Sequence, residues 1–171
     1  DTLFLATGLA TLDEVRQAVS YVPDIGNVYI MQCTTQYPCP PEEANLSVIT
    51  TFRSVFPNYH VGLSDHTLGI QASVAAVVLG AEVIEKHFTL DRNLPGPDHR
   101  ASLEPLELIS MVKAIRNIEL ALGDGFKAPR PSELKNIHMI RKSIVASRTI
   151  HAGDTFTEDN ITVKRPGDGR S

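Results

Sequence analysis

Four times in succession a short apolar run gives way to a segment with helical spacing, and this alternation commits the chain to a parallel sheet. Parallel neighbours need a long crossover between them, and a helix is the usual one. The first unit is Leu3-Phe-Leu-Ala-Thr7, stopped by Gly8 and followed by Thr11-Leu-Asp-Glu14, a capping-box pattern that opens a helix running to about Val22. The second is Val28-Tyr-Ile-Met-Gln-Cys33, a proline-rich loop from Tyr37 to Pro41, and helical spacing from Asn45 to Phe56 that Pro57 ends. Tyr59-His-Val-Gly-Leu63 and a helix from Leu68, with Ile70 to Leu79 long enough for a crossover, make the third. Val83-Ile-Glu-Lys-His87, a long loop and a helix from Pro105 to Leu122 make the fourth, which Gly123-Asp-Gly125 closes.

Taking strand ends at Thr7, Cys33, Ser64 and His87, successive units are spaced 26, 31 and 23 residues apart, near the ~250/8 of a (β/α)8 TIM barrel. Four units are half a barrel. A doubly wound sheet competes, but its glycine-rich dinucleotide fingerprint is missing, since Gly8 stands alone after its strand. The expectation is therefore an α/β half-barrel over residues 1–128, whose open sheet edges call for the missing half or a partner. Composition changes after Lys127-Ala-Pro-Arg-Pro131. Residues 129–142 are expected as a linker, and 143–171 as a second, β-rich module with strands at Ser143-Ile-Val-Ala146 and Thr162-Val-Lys-Arg165. With roughly 30 residues it falls below the ~40 at which a domain usually needs extra staples, so it is expected to be truncated.

A formal charge of −4, with acids and bases interspersed, leaves no basic stripe for nucleic acid. The longest apolar stretch, Ala72 to Ala81, is too short for a membrane span and includes Ser73 and Gly80. Only Cys33 and Cys39 occur, so no disulfide framework can be argued, and a cytoplasmic setting fits. The N-terminus opens almost inside a strand, without a leader-like segment, and residues are expected upstream.

His66 and His87 stand at the ends of the third and fourth runs. Neighbouring strands lie only ~4.8 Å apart, so imidazoles leaving adjacent carboxyl ends on one face could share a cation. Strand alternation puts Ser64 with His66, and Glu85 with His87, on those faces. Two imidazoles without thiolates suit a divalent ion with open positions, and Mn²⁺, Mg²⁺ or Zn²⁺ can each be written. The alternative for each is a hydrogen-bonded buried histidine. Lys142 beside Arg141, and Arg165 beside Lys164, would suit a phosphate or carboxylate, or be solvated linker charges. Asp98, in the stiffened Pro95-Gly-Pro-Asp98 loop, could accept sugar hydroxyls or be a plain turn residue. Tyr37 could stack on a ligand or simply pack.

Cys33-Thr-Thr-Gln-Tyr-Pro-Cys-Pro-Pro-Glu-Glu43, Gly62-Leu-Ser-Asp-His-Thr67, Ile84-Glu-Lys-His-Phe-Thr89, Gly96-Pro-Asp-His99, Arg141-Lys-Ser143 and Val163-Lys-Arg-Pro-Gly167 together resemble the sialic acid synthase family, which includes the N-acetylneuraminate, legionaminate and pseudaminate synthases. The resemblance covers essentially the whole chain. It implies strands 5 to 8 of a TIM barrel followed by the start of an antifreeze-like (SAF) domain, in a domain-swapped homodimer. It also implies condensation of phosphoenolpyruvate with an N-acetylated hexosamine, N-acetylmannosamine or a 2,4-diacetamido relative, to a nine-carbon 2-keto acid and phosphate. On that basis His66 and His87 hold the metal, Mn²⁺ or else Mg²⁺, which polarises the sugar aldehyde. Ser64 and Lys142 contact phosphoenolpyruvate, Tyr37 and Asp98 the sugar, and Arg165 the N-acetyl group in the opposite subunit, with Glu85 a nearby proton-handling carboxylate. Two departures stand out: Ala6-Thr-Gly8 where relatives often have Ser-Thr-Gly, and Thr34-Thr35 where some carry asparagine. The competing functions are a noncatalytic half-barrel that works only with a complementary chain, and a divalent-metal pyruvate aldolase.

Overall fold

The computed structural model describes residues 1–22 and 27–167. Four strands, β1 (Thr2–Ala6), β2 (Asn27–Cys33), β3 (His60–Asp65) and β4 (Val83–Lys86), form one sheet in the order β1-β2-β3-β4. All neighbours are parallel, with Leu5 opposite Ile30, Ile30 opposite Val61, and Leu63 opposite Ile84. Between them run α1 (Leu12–Ser20), α2 (Ser47–Val55) and α3 (Gln71–Val78), and α4 (Pro105–Leu122) follows β4.

The winding decides between the two expected architectures. Val15 and Val19 of α1, Ile49 and Phe52 of α2, and Ala76 of α3 share one buried cluster with Ile30, Val61 and Leu63, alternate residues of the strands. All three crossover helices thus cover the same face. A doubly wound sheet would reverse strand order and place helices on both faces. Sequential order with one covered face is the winding of a barrel wall, here a curled parallel half-barrel. Each large aliphatic side chain buried in that cluster contributes about 1.5–3 kcal/mol.

The opposite, concave face carries a row of rings, Phe4 stacked on Tyr29 at 5.0 Å and Tyr29 on His60 at 4.7 Å between centroids. At the carboxyl end of β4 the chain leaves as a long loop that returns along the strand. Leu103 donates its N–H to the His87 carbonyl and Thr89 donates to Leu103, each at 2.9 Å, so Phe88 and Leu103 form an isolated parallel bridge. Glu104 and Glu107 then form a capping box at the start of α4, with Pro105 in its first turn.

Residues from Gly125 onward form a second compact unit. Within the stretch expected as linker, Pro131–Leu134 and Ile137–Ile140 are short helices, α5 and α6. They precede an antiparallel pair, β5 (Ser143–Ala146) and β6 (Ile161–Lys164). The last four residues of the expected second module, 168–171, lie outside the described residues. Among the described residues no helix is long and apolar enough to cross a membrane.

Candidate active site at the strand ends

β3 and β4 finish side by side, with Ser64 opposite Glu85 and Asp65 opposite Lys86 as the last pairs of the ladder. Alternation sends Ser64, Glu85 and the two histidines that follow the strands to the concave face. The Ser64 hydroxyl donates to Glu85 Oε1 at 2.7 Å. The His66 and His87 rings lie 5.3 Å apart between centroids, inclined by 55°.

The tautomer of His66 follows from its partner. Nδ1 lies 2.9 Å from the Thr34 carbonyl oxygen, which only accepts, so in the neutral ring the proton sits on Nδ1. Nε2 then carries a lone pair and lies 3.5 Å from Ser64 Oγ, whose proton is committed to Glu85. A ring with Nδ1–H on a backbone carbonyl and a lone pair left on Nε2 is the usual state of a metal-ligating histidine. With the His87 ring 5.3 Å away, the residues that could offer nitrogen ligands to a divalent cation are these two imidazoles. Among the described residues no group of three or more His, Cys, Asp or Glu side chains could hold one.

Tyr37 closes the site from the β2 side. Its ring lies 4.1 Å from that of His66 and 5.5 Å from that of His87. Its loop is stitched in place where Cys39 donates its N–H to the His66 carbonyl at 2.8 Å. Burial, then the charges of Cys33, Asp98 and Glu85, push the Tyr37 phenol up. Asp98 is thus within electrostatic reach of that ring, on a short turn where Ser102 Oγ donates to the Asp98 carbonyl at 2.7 Å and His99 Nδ1 meets Thr89 Oγ1 at 2.7 Å. Lys142 and Arg165 belong to the second unit, exposed. Because Ser143 pairs with Lys164, these two cations flank the same end of the β5–β6 hairpin.

Sequence reasoning missed three residues. Cys33 sits opposite Ser64 with its sulfur 4.0 Å from His66 Nδ1, and burial leads in pushing its thiol up. Its position on β2 was legible from alternation, but its closeness to His66 needed the register. Asp65 and Lys86 form an ion pair at 2.9 Å with side chains only 1% and 3% exposed. Burial alone would raise the Asp65 carboxyl, but bonds from Ser73, Lys86 and Thr67 together outweigh it and hold it below the usual range. Both point away from the concave face, opposite to the residues that alternation groups with the histidines.

A curled parallel sheet whose ionisable and hydroxyl side chains gather at its carboxyl ends is the active-site end of a barrel enzyme. The chain belongs to the NeuB family, which it matches over residues 1–127, and residues 141–170 match the SAF domain. It is 49% identical to the N,N'-diacetyllegionaminic acid synthase of Campylobacter jejuni, across 99% of this chain and 52% of that protein. With the N-acetylneuraminate-9-phosphate synthase of Mus musculus it shares 43% identity, across 95% of this chain and 45% of that one. The crystal structure of the spore coat polysaccharide biosynthesis protein SpsE of Bacillus subtilis superposes with a TM-score of 0.66 at 39% identity, across 96% of this chain and 51% of that one. The chain thus spans about half the length of the curated relatives it matches.

Proposed function

We propose that the chain supplies strands 5 to 8 and the start of the SAF domain of a sugar acid synthase that condenses phosphoenolpyruvate with an N-acetylated hexosamine and water, giving a nine-carbon 2-keto acid and phosphate. The observation that carries the reading is the convergence of His66, His87, Ser64, Glu85 and Tyr37 at adjacent strand ends. The relatives named as legionaminic acid and N-acetylneuraminate-9-phosphate synthases supply the reaction class.

His66 and His87 would hold a divalent cation, Mn²⁺ or else Mg²⁺, which when bound supplies Lewis acidity toward the sugar's aldehyde oxygen. Ser64 has one proton, engaged by Glu85. A phosphoenolpyruvate oxygen takes over that hydrogen bond, which frees Glu85 to accept a proton from the water that adds at C2. Tyr37 stacks along the sugar and Asp98 accepts its hydroxyl hydrogens. Lys142 and Arg165, at one end of the hairpin, are the cations for phosphoenolpyruvate and for the N-acetyl carbonyl, the latter reached in the opposite subunit of a domain-swapped homodimer. The two cysteines are free thiols, consistent with a cytoplasmic enzyme.

The test is phosphate release by the complete protein with Mn²⁺, phosphoenolpyruvate and a panel of N-acetylated mannosamine and 2,4-diacetamido sugars. One phosphate per 2-keto acid is expected. Product formed from pyruvate without phosphate would assign a pyruvate aldolase instead. His66→Ala and His87→Ala are each expected to abolish Mn²⁺ binding in an electron paramagnetic resonance titration, and retention of the ion by both variants overturns the metal assignment.

A further inference from the structure

The buried Asp65–Lys86 pair lies directly behind the histidines: Asp65 precedes His66 and Lys86 precedes His87. Removing two charges from water is unfavourable, and an apolar pair of similar volume is often at least as stabilising. Stability alone is therefore a weak account of why the strand ends carry an ion pair there.

Its bonds run to the chain beside His66 and to α3. Asp65 Oδ1 accepts from the Thr67 N–H and hydroxyl, each at 2.8 Å. Oδ2 accepts from Ser73 Oγ at 2.6 Å and from Lys86 Nζ at 2.9 Å. Lys86 Nζ also donates to the Thr67 carbonyl at 2.7 Å. The carboxylate thus grips the chain on both sides of His66, and the ammonium reaches from the residue before His87 to the residue after His66. Asp65 opposite Lys86 is also the last pair of the β3–β4 ladder. Among the described residues, no strand pairing beyond it holds one histidine against the other.

We infer that Asp65 and Lys86 are positioning residues that fix the separation of the His66 and His87 imidazoles, and through it the affinity and geometry of the site for a divalent cation. This rests on the reading of those two histidines as metal ligands. Both side chains are buried on the face opposite Ser64 and Glu85. Ser73 extends the clamp to α3, so the helix that packs behind the sheet is tied to the same carboxylate.

The experiment compares Asp65→Asn, Lys86→Met, the double variant and the milder Ser73→Ala in the complete protein. Mn²⁺ affinity is read by electron paramagnetic resonance well below the unfolding transition, the ligand field from the spectrum of bound Co²⁺, and the thermal midpoint without metal. The expected result is a loss of Mn²⁺ affinity of about 10-fold or more in the Asp65 and Lys86 variants with an altered Co²⁺ spectrum. The double variant should lose little more than either single one, because both act through one contact. A lowered metal-free midpoint with Mn²⁺ affinity within twofold of wild type would show a merely structural pair and overturn the inference. If the Asp65 or Lys86 variants fail to fold, Ser73→Ala decides, a weakened affinity supporting the clamp and an unchanged one overturning it. A wild-type protein that binds no Mn²⁺ would instead overturn the metal reading itself.

Discussion

Gly62 lies on the concave face of β3, and a single methyl there would meet Val83 Cγ1 at 2.4 Å and Met31 Sδ at 2.5 Å. Val83 is β-branched and stiff at its first torsion, so it yields poorly, and the thioether of Met31, itself 1% exposed, has little room to retreat. Gly62→Ala is expected to destabilise the fold by about 1–3 kcal/mol, as overpacking does, measured by denaturant unfolding. An unchanged midpoint would mean that the face is looser than its side chains indicate. Cys33 offers a chemical check one strand away. Burial leads in raising its thiol, so the nucleophilic thiolate is scarce at neutral pH. Alkylation of Cys33 should lag behind that of an exposed cysteine and accelerate only as pH rises above the ordinary thiol range near ~8.5. Rapid labelling at pH 7, located by mass spectrometry, would contradict this environment.

At the scale of elements, the start of α1 was legible because its signal is local. Thr11 accepts from the Glu14 N–H, and Glu14 returns a carboxylate oxygen to the Thr11 N–H at 2.7 Å. Thr11→Ala should cost about 1 kcal/mol, read as a lowered unfolding midpoint. The Glu14 carboxyl is held below its usual value chiefly by the Thr11 backbone bond. Its contribution is therefore present above the unfolded carboxylate range and fades as pH falls through the folded value, and Glu14→Gln should flatten that acidic limb of the stability curve. The bounds of α4 and β5 were readable for the same reason, Pro105 and Gly123 bracketing one and β-branched residues filling the other. Less legible was where α3 begins. The spacing predicts a helix from Leu68, but Gly69 takes a left-handed φ of +74° and regular helix starts only at Gln71. The short turns at Pro41–Glu43 and His99–Ala101 carry no periodicity, and they form because the loops holding Tyr37 and Asp98 are anchored to the strand ends. Of the site, alternation alone put Ser64, His66, Glu85 and His87 on one face. The Asp65–Lys86 pair escaped because it depends on register across two strands, and register is not written in either one.

At the scale of the whole chain, the helices cover one face of the sheet and the other is left with Phe4 51% exposed beside Tyr29 and His60. Among the described residues β1 pairs only with β2, and β4 only with β3. Two free parallel edges and a concave aromatic face are what four further βα units would cover, and the relatives are about twice as long as this chain. Closure of the wall would pair both edges and remove the stacked rings from water, and a partner that binds only the folded form raises its stability by mass action. The prediction is that these 171 residues, mixed with a separate polypeptide supplying the first four βα units of a relative, copurify with it. Their thermal midpoint should rise with the concentration of that partner, and Tyr29 and Phe4 should become protected from oxidative footprinting. Phosphate release from phosphoenolpyruvate should appear only in the mixture, since this chain spans about half the length of its relatives. Full turnover by the 171 residues alone would show that one wall carries the whole site. A partner that neither binds nor shifts the midpoint would show that the exposed face is not the seam between two halves of a barrel.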